Sequence, residues 1–371
     1  MKTISLVAIA AALFVGSLIL PAVSAAATFD DDEGAVFVMT NAADNNEVQS
    51  YVRSEDGSLH AAGSFATGGA GSGGTVDPLS SQGSLTLADH HEFLFAVNAG
   101  SGTVSSFHVH GANLTLVDTE PSGGSSPVAL AYSHGLLYVL NSGDNGNVYG
   151  FAVLPDGRLS AIKSSSRPLS ANDAGGSSLA FSPDRRFLVA TERLTNKIDV
   201  YAVRPDGSLS DGVANASSGA VPFAALFAPN GALTVAEASN SISSYEVLPN
   251  GTLKVLTASL PTDGMATCWS AIAPDGRFVY TSNAATSTIS GFEISRYGSL
   301  TPLPGTVVAS NPAGSVNLDI TIAAHGKYLY TLDTGTGSLS IFLIERDGSL
   351  ESLGIVDDLP VAAGLNGIAA Y

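Results

Sequence analysis

Seven polar side chains recur at one place in this sequence. Asn41, Asn98, Asn141, Glu192, Glu237, Asn283 and Asp333 each close a short apolar run and stand about six residues ahead of an aliphatic-aromatic phrase. Carboxyl groups brought to one pocket raise each other's pKa through repulsion and limited hydration. A carboxyl poised in that way can donate or accept a proton at a reacting centre. Asn and Asp at such places also serve as turn formers that bond to their own backbone. Glu is a poorer turn former, so Glu237 and Glu192 are the catalytic candidates. Asn98, Asn141, Asn283 and Asp333 are the binding candidates. Arg193, next to Glu192, offers a guanidinium to a substrate carboxylate; the plainer account is an exposed ion pair.

The elements that would position these groups form one phrase written seven times: aliphatic, two residues, aromatic, one residue, aliphatic. The copies are Val48/Tyr51, Val104/Phe107/Val109, Val148/Phe151/Val153, Ile198/Tyr201/Val203, Ile242/Tyr245/Val247, Ile289/Phe292/Ile294 and Leu339/Phe342/Ile344. Alternation along a strand turns the leading aliphatic to one face and the aromatic to the other. Both faces are apolar, as a sheet packed between two neighbours requires. A glycine follows each phrase, at Gly57, Gly111, Gly157, Gly207, Gly251, Gly298 and Gly348, often as Asp-Gly. That pair suits a tight hairpin turn.

Further strands precede each phrase, as in Phe93–Val97, Leu137–Leu140 and Phe278–Thr281. Four antiparallel strands in about 40 to 50 residues is the size of a propeller blade. The fold class is therefore all-β, a seven-bladed β-propeller with four-stranded blades. The first copy begins with its second strand at Val36–Met39, and Gly367–Tyr371 can supply the missing one. Ring closure of that kind removes a free sheet edge. Equivalent positions then lie at equal radius, so the seven polar residues are expected to gather near one mouth of the central channel.

Met1 to about Ala25 reads as a signal peptide: Lys2, an apolar run from Leu6 to Leu20, and the small-residue exit Val23-Ser24-Ala25. The remainder, 26–371, is expected to be a single propeller domain that is secreted and extracellular, with no membrane span. A net charge of −18 argues against nucleic acid, whose phosphates need clustered Lys and Arg. Cys268 is the only cysteine, so no intramolecular disulfide forms and the thiol is expected to be buried. Asn113, Asn215 and Asn250 head Asn-x-Ser/Thr triplets and are candidate glycosylation sites on exposed turns. His108 and His110, with His90 and His91, lack a third ligand at a diagnostic spacing, so no metal is expected. Gly68 to Gly74 opens no helix and reads as a flexible loop. No cofactor is implied, and the chain is expected to be a monomer.

Segments such as Phe181-Ser-Pro-Asp-Arg-Arg-Phe-Leu-Val-Ala-Thr191 and Pro274-Asp-Gly-Arg-Phe-Val-Tyr-Thr-Ser-Asn283 resemble the lactonase family of seven-bladed propellers. That family includes propeller-type 6-phosphogluconolactonases and 3-carboxymuconate-lactonizing enzymes (3-carboxymuconate cyclases). The resemblance implies lactone hydrolysis or lactonization. In the muconate-lactonizing branch it places Glu237 at the position of an active-site Glu. The accompanying His position falls on Ser177 or Ser178, one Arg position on Phe223 and another near Ala284. A strongly anionic substrate needs cationic clamps, so a less anionic lactone or carboxylate is the expected partner. The second reading is a non-catalytic secreted glycoprotein whose blade loops bind an extracellular surface ligand.

Overall fold

The computed structural model describes residues 34–371; the signal peptide inferred for residues 1–25 lies outside them. Seven antiparallel sheets follow one another along the chain. Their innermost strands are Ile368–Ala370, Leu85–Leu87, Pro127–Ser133, Gly176–Phe181, Pro222–Phe227, Thr267–Ile272 and Asn317–Ala323, for blades 1 to 7 in turn. Each inner strand touches the next, and the last returns to the first, so the sheets form a ring. Blade 3 carries a short extra strand, Arg167–Pro168, beside its third strand. Among the described residues no helix is long and apolar enough to cross a membrane.

The repeated phrase builds the core. Its leading aliphatics and its aromatics, such as Val104 with Phe107 and Ile289 with Phe292, are almost wholly buried. The strand Ile368–Ala370 pairs antiparallel with Gly34–Met39, Val38 opposite Ile368, and completes blade 1 as expected.

The glycine turns have a second task. Tyr138 Oη donates to the Gly207 carbonyl, Tyr280 Oη to Gly348 at 2.9 Å, and Tyr330 Oη to Gly57 at 3.0 Å. Ser106 and Asn215 do the same to Gly157 and Gly251. Each hydrogen bond runs from one blade to the turn of the next, so the hairpins pin the ring together. Gly57 has φ +86°, and a Cβ there would lie 2.6 Å from the Tyr328 ring. Only glycine fits that turn.

Asn215 is therefore not on the exposed turn anticipated for it. It sits half-buried on the strand Val213–Ala216, its amide donating to Val213 at 2.9 Å and Gly251 at 3.0 Å. A glycan there would remove the pin between blades 4 and 5. Asn113 and Asn250 are exposed.

Candidate active site

Inner strands start at one face of the ring, called upper here, and second strands end there, since Gly176 pairs with Glu192 and Phe181 with Leu188. The seven polar residues close the second strands at that face. All are fully buried, and none lines the central cavity. The expected gathering at the channel mouth is not what the side chains do. They turn instead into their own blade and bond to the loop arriving from the preceding one. Asn98 donates to Thr103 and Ser105 while accepting from Asn46 and Thr67; Ser105 in turn donates to the Thr67 carbonyl at 2.6 Å. Asn283 repeats this with Thr288, Ser290 and Thr267. Asn141 donates to the Ser122 carbonyl at 3.0 Å, and Asn41 donates to Ser72, Gly73 and Gly364.

The carboxyls follow the same rule. Glu237 accepts from Ser217, the Gly219 amide, Ser241 and Ser243. A Cβ on Gly219 would sit 2.0 Å from Glu237 Oε2, so the arriving loop seals that carboxylate. Asp333 accepts from Asn311 and Ser340; burial pushes it up to about 6 despite those donors. Glu192 accepts from the Ser170 amide, its hydroxyl and Thr195.

Blade 4 departs from the pattern in one respect. The position seven residues after the polar residue that closes the second strand, a serine in blades 2, 6 and 7, is Asp199. Burial, then the neighbouring Glu192 carboxylate, raise the Asp199 pKa. Burial opposes the charge on Glu192 too, but hydrogen bonds from Asp199, Ser170 and Thr195 outweigh it and hold that carboxyl low. Asp199 Oδ1 is buried with no donor beside it; a proton on Asp199 shared with Glu192 satisfies both groups. The two predicted glutamates are thus not partners of each other.

The positions to which the resemblance assigned a histidine and arginines hold small or apolar groups. Ser177 Oγ donates to the Pro222 carbonyl at 3.2 Å. Phe223 packs edge-on against Trp269, ring centroids 5.0 Å apart, and Ala284 and Cys268 belong to the same buried cluster. Above them lies the connection from blade 1 to blade 2. The stretch Gly68–Gly74 is not the loose loop expected: Gly71 donates to the Ala42 carbonyl at 2.7 Å, and Gly73 to Asn41 at 2.9 Å. A Cβ on Gly71 would lie 2.2 Å from the Asn41 carbonyl carbon.

This strap then dips into the channel. Trp269 Nε1 donates to the Ser81 carbonyl at 2.9 Å, and Ser81 Oγ donates to Val128. Gln82 plugs the axis: its amide group exchanges two 2.8 Å hydrogen bonds with the backbone of Ser270 in blade 6, and its own N–H donates to Ser177 in blade 4.

Asp77 stands on the outer side of that plug and was not singled out by the sequence. Its Oδ1 accepts from the Ser80 amide at 2.9 Å and from Asn366 at 3.1 Å; Oδ2 is left for another partner. Asn366 is held in place by Ser84. Burial pushes the Asp77 carboxyl up to about 7, against the pull of its hydrogen bonds and of the Arg193 charge, with Asp319 adding to the rise. Arg193 keeps a buried Nε with no hydrogen-bond partner. A buried carboxyl shifted toward neutrality is suited to act as a base, and the Arg193 charge reaches it through space. The signal available in sequence was the Asp-Pro pair at 77–78, which marks only a turn.

Among the described residues no group of three His, Cys, Asp or Glu is disposed to hold a metal. His108 stacks on His110, centroids 5.4 Å apart, and His91 stacks on Tyr371 at 4.4 Å. Cys268 is buried, and its thiol is held protonated by desolvation.

The chain matches the family described as Lactonase, 7-bladed beta-propeller, over residues 73–304, more than half of its length. It is 30% identical over 156 residues to a 6-phosphogluconolactonase of Enterobacter sp. (strain 638), a match covering 39% of this chain and 47% of that protein. With a 6-phosphogluconolactonase of Bacillus subtilis (strain 168) the identity is 26% over 217 residues, 53% of this chain and 62% of that one. The matched stretch thus spans about half the length of these relatives. Among solved structures, the periplasmic gluconolactonase PpgL of Pseudomonas aeruginosa superposes with a TM-score of 0.70 at 18% identity, over 91% of this chain and 99% of that one. A 6-phosphogluconolactonase-like protein of Bacteroides fragilis, described as putative in that structure, gives 0.70 at 18% identity over 93% and 100%. Seven four-stranded blades, the closing strand and the family match together establish that this chain belongs to the lactonase family of seven-bladed β-propellers.

Proposed function

We propose that the protein is a secreted enzyme that hydrolyses a lactone carrying little negative charge, at the upper mouth of the channel. Asp77 Oδ2 takes a proton from water, the resulting hydroxide adds to the lactone carbonyl, and Arg193 steadies the oxyanion that forms. Collapse breaks the ring C–O bond, and the proton on Asp77 passes to the leaving alkoxide. A hydroxy acid is released. The observation that supports this reading is the Asp77 carboxyl, whose Oδ1 takes both hydrogen bonds and which burial pushes up to about 7 within reach of the Arg193 charge.

The want of further cations at the family's arginine positions, Phe223 and Ala284, supports a substrate without phosphate or several carboxylates. The test is acid release from a panel of neutral, acidic and phosphorylated lactones. Asp77→Asn should lower kcat on a neutral lactone by about 100-fold or more, with Glu237→Gln as a control for the buried carboxylates. Full activity in Asp77→Asn, or no lactone opened by the parent, would sink the reading.

A second reading, an extracellular binding surface, draws on four exposed apolar side chains carried on upper loops: Val76, Leu194, Met265 and Val361. It becomes the better account if the parent opens no lactone.

A further inference from the structure

Beneath the Gln82 plug the channel widens into a cavity of about 570 Å³, which opens on the face opposite Asp77. Its walls are the lower halves of the inner strands, with Leu87, Tyr132, Phe181, Phe227, Ile272 and Ile322 among the lining side chains. That volume and lining fall in the range of small-molecule sites, which bury a largely apolar ligand and fix it with a few polar groups.

The polar groups lie at the closed end. Asp319, in the inner strand of blade 7, is only 2% exposed. It accepts from the Ile320 amide at 3.0 Å and the Ile368 amide at 3.3 Å, and no cation among the described residues pairs with it. Burial pushes it up to about 7. Gln82 caps that end through the backbone of Ser270. A buried carboxyl with no cation to pair with, at the end of an apolar funnel, is unfavourable unless something completes it.

We propose that this lower cavity binds a small protonated amine with an aromatic or aliphatic body, its ammonium directed to Asp319. An ammonium supplies the missing charge to Asp319, while the hydrocarbon body covers the ring of apolar side chains. The overall charge of −18 draws cations toward the protein. The site opens on the face opposite the upper mouth, and although Asp319 is near enough to raise Asp77, amine binding is read whether or not lactones are hydrolysed above.

The experiment is calorimetric titration of the whole mature protein with 2-phenylethylammonium, hexylammonium and the neutral 2-phenylethanol. One amine should bind at a single site, about tenfold or more tighter than the alcohol of the same skeleton, because only the cation compensates a buried carboxylate. Asp319→Asn should remove that preference. Should Asp319→Asn fail to fold, Ile322→Trp narrows the lower opening without touching the carboxyl and should abolish binding. No heat with either amine, equal affinity for amine and alcohol, or parental binding in Ile322→Trp would each overturn the assignment.

Discussion

The two ends of the axial channel are built from the same seven strands and could hardly differ more. At the upper end a segment from between blades 1 and 2 crosses the opening, and Gln82 stitches blade 4 to blade 6 through backbone hydrogen bonds. At the lower end no described segment crosses, and partly exposed Phe181, Phe227, Ile272 and Ile322 face an open space. Inner strands of a propeller present unpaired backbone along the axis. The contrast shows how an amide side chain on a crossing segment can satisfy such backbone, because it offers a donor and an acceptor together.

The sharpest way to break this contrast is to remove what holds the strap. Trp269→Ala deletes a buried ring packed on Phe223 and the indole donor to Ser81, and should cost about 3–5 kcal/mol of unfolding free energy by urea titration. A loss under about 1 kcal/mol would show that the strap is not anchored there. Gln82→Leu keeps the bulk but strands the Ser270 amide and carbonyl, at about 2 kcal/mol; the same melts measure it.

Acidity gives a smaller and graded effect. Asp77 and Asp319 are both pushed up to about 7, far above an unfolded aspartate. The native state therefore holds more protons than the unfolded chain between about pH 4 and pH 7, and stability falls as pH rises through that window. Asp319→Asn should flatten the decline in a pH series of thermal midpoints, whereas an unchanged slope would contradict the assignment. The smallest expected change is Ser270→Ala. Its hydroxyl has no partner, so stability should move by no more than about 0.5 kcal/mol; a larger loss would reveal a bond to that hydroxyl that the structure does not contain.

The repeat was legible because strand alternation and turn chemistry are local. Val104 and Phe107 had to face opposite neighbours, and Gly57 or Gly207 had to turn a hairpin. The closing strand at 368–370 followed from counting strands. The fate of the polar residues was less visible, since equal radius says nothing about where a side chain turns. A clue was nevertheless present: Asn98 and Ser105, Asn283 and Ser290, and Asp333 and Ser340 are each seven residues apart, the distance from the end of one strand to its neighbour across a short loop. Those serines answer the carboxyls and amides that had been assigned to a substrate. Asp77 and Gln82 were out of reach for another reason. Their roles depend on strands as distant as Ser270, 188 residues along the chain from Gln82, and no local pattern encodes such a meeting.

The position of the strap also orders assembly in time. Residues 67–84 precede the strands Pro127–Ser133, Gly176–Phe181 and Thr267–Ile272 on which they rest. The bonds of Gln82 need blades 4 and 6 to stand on either side of it, so an early segment of the chain reaches its native partners only when much later sheets are in place.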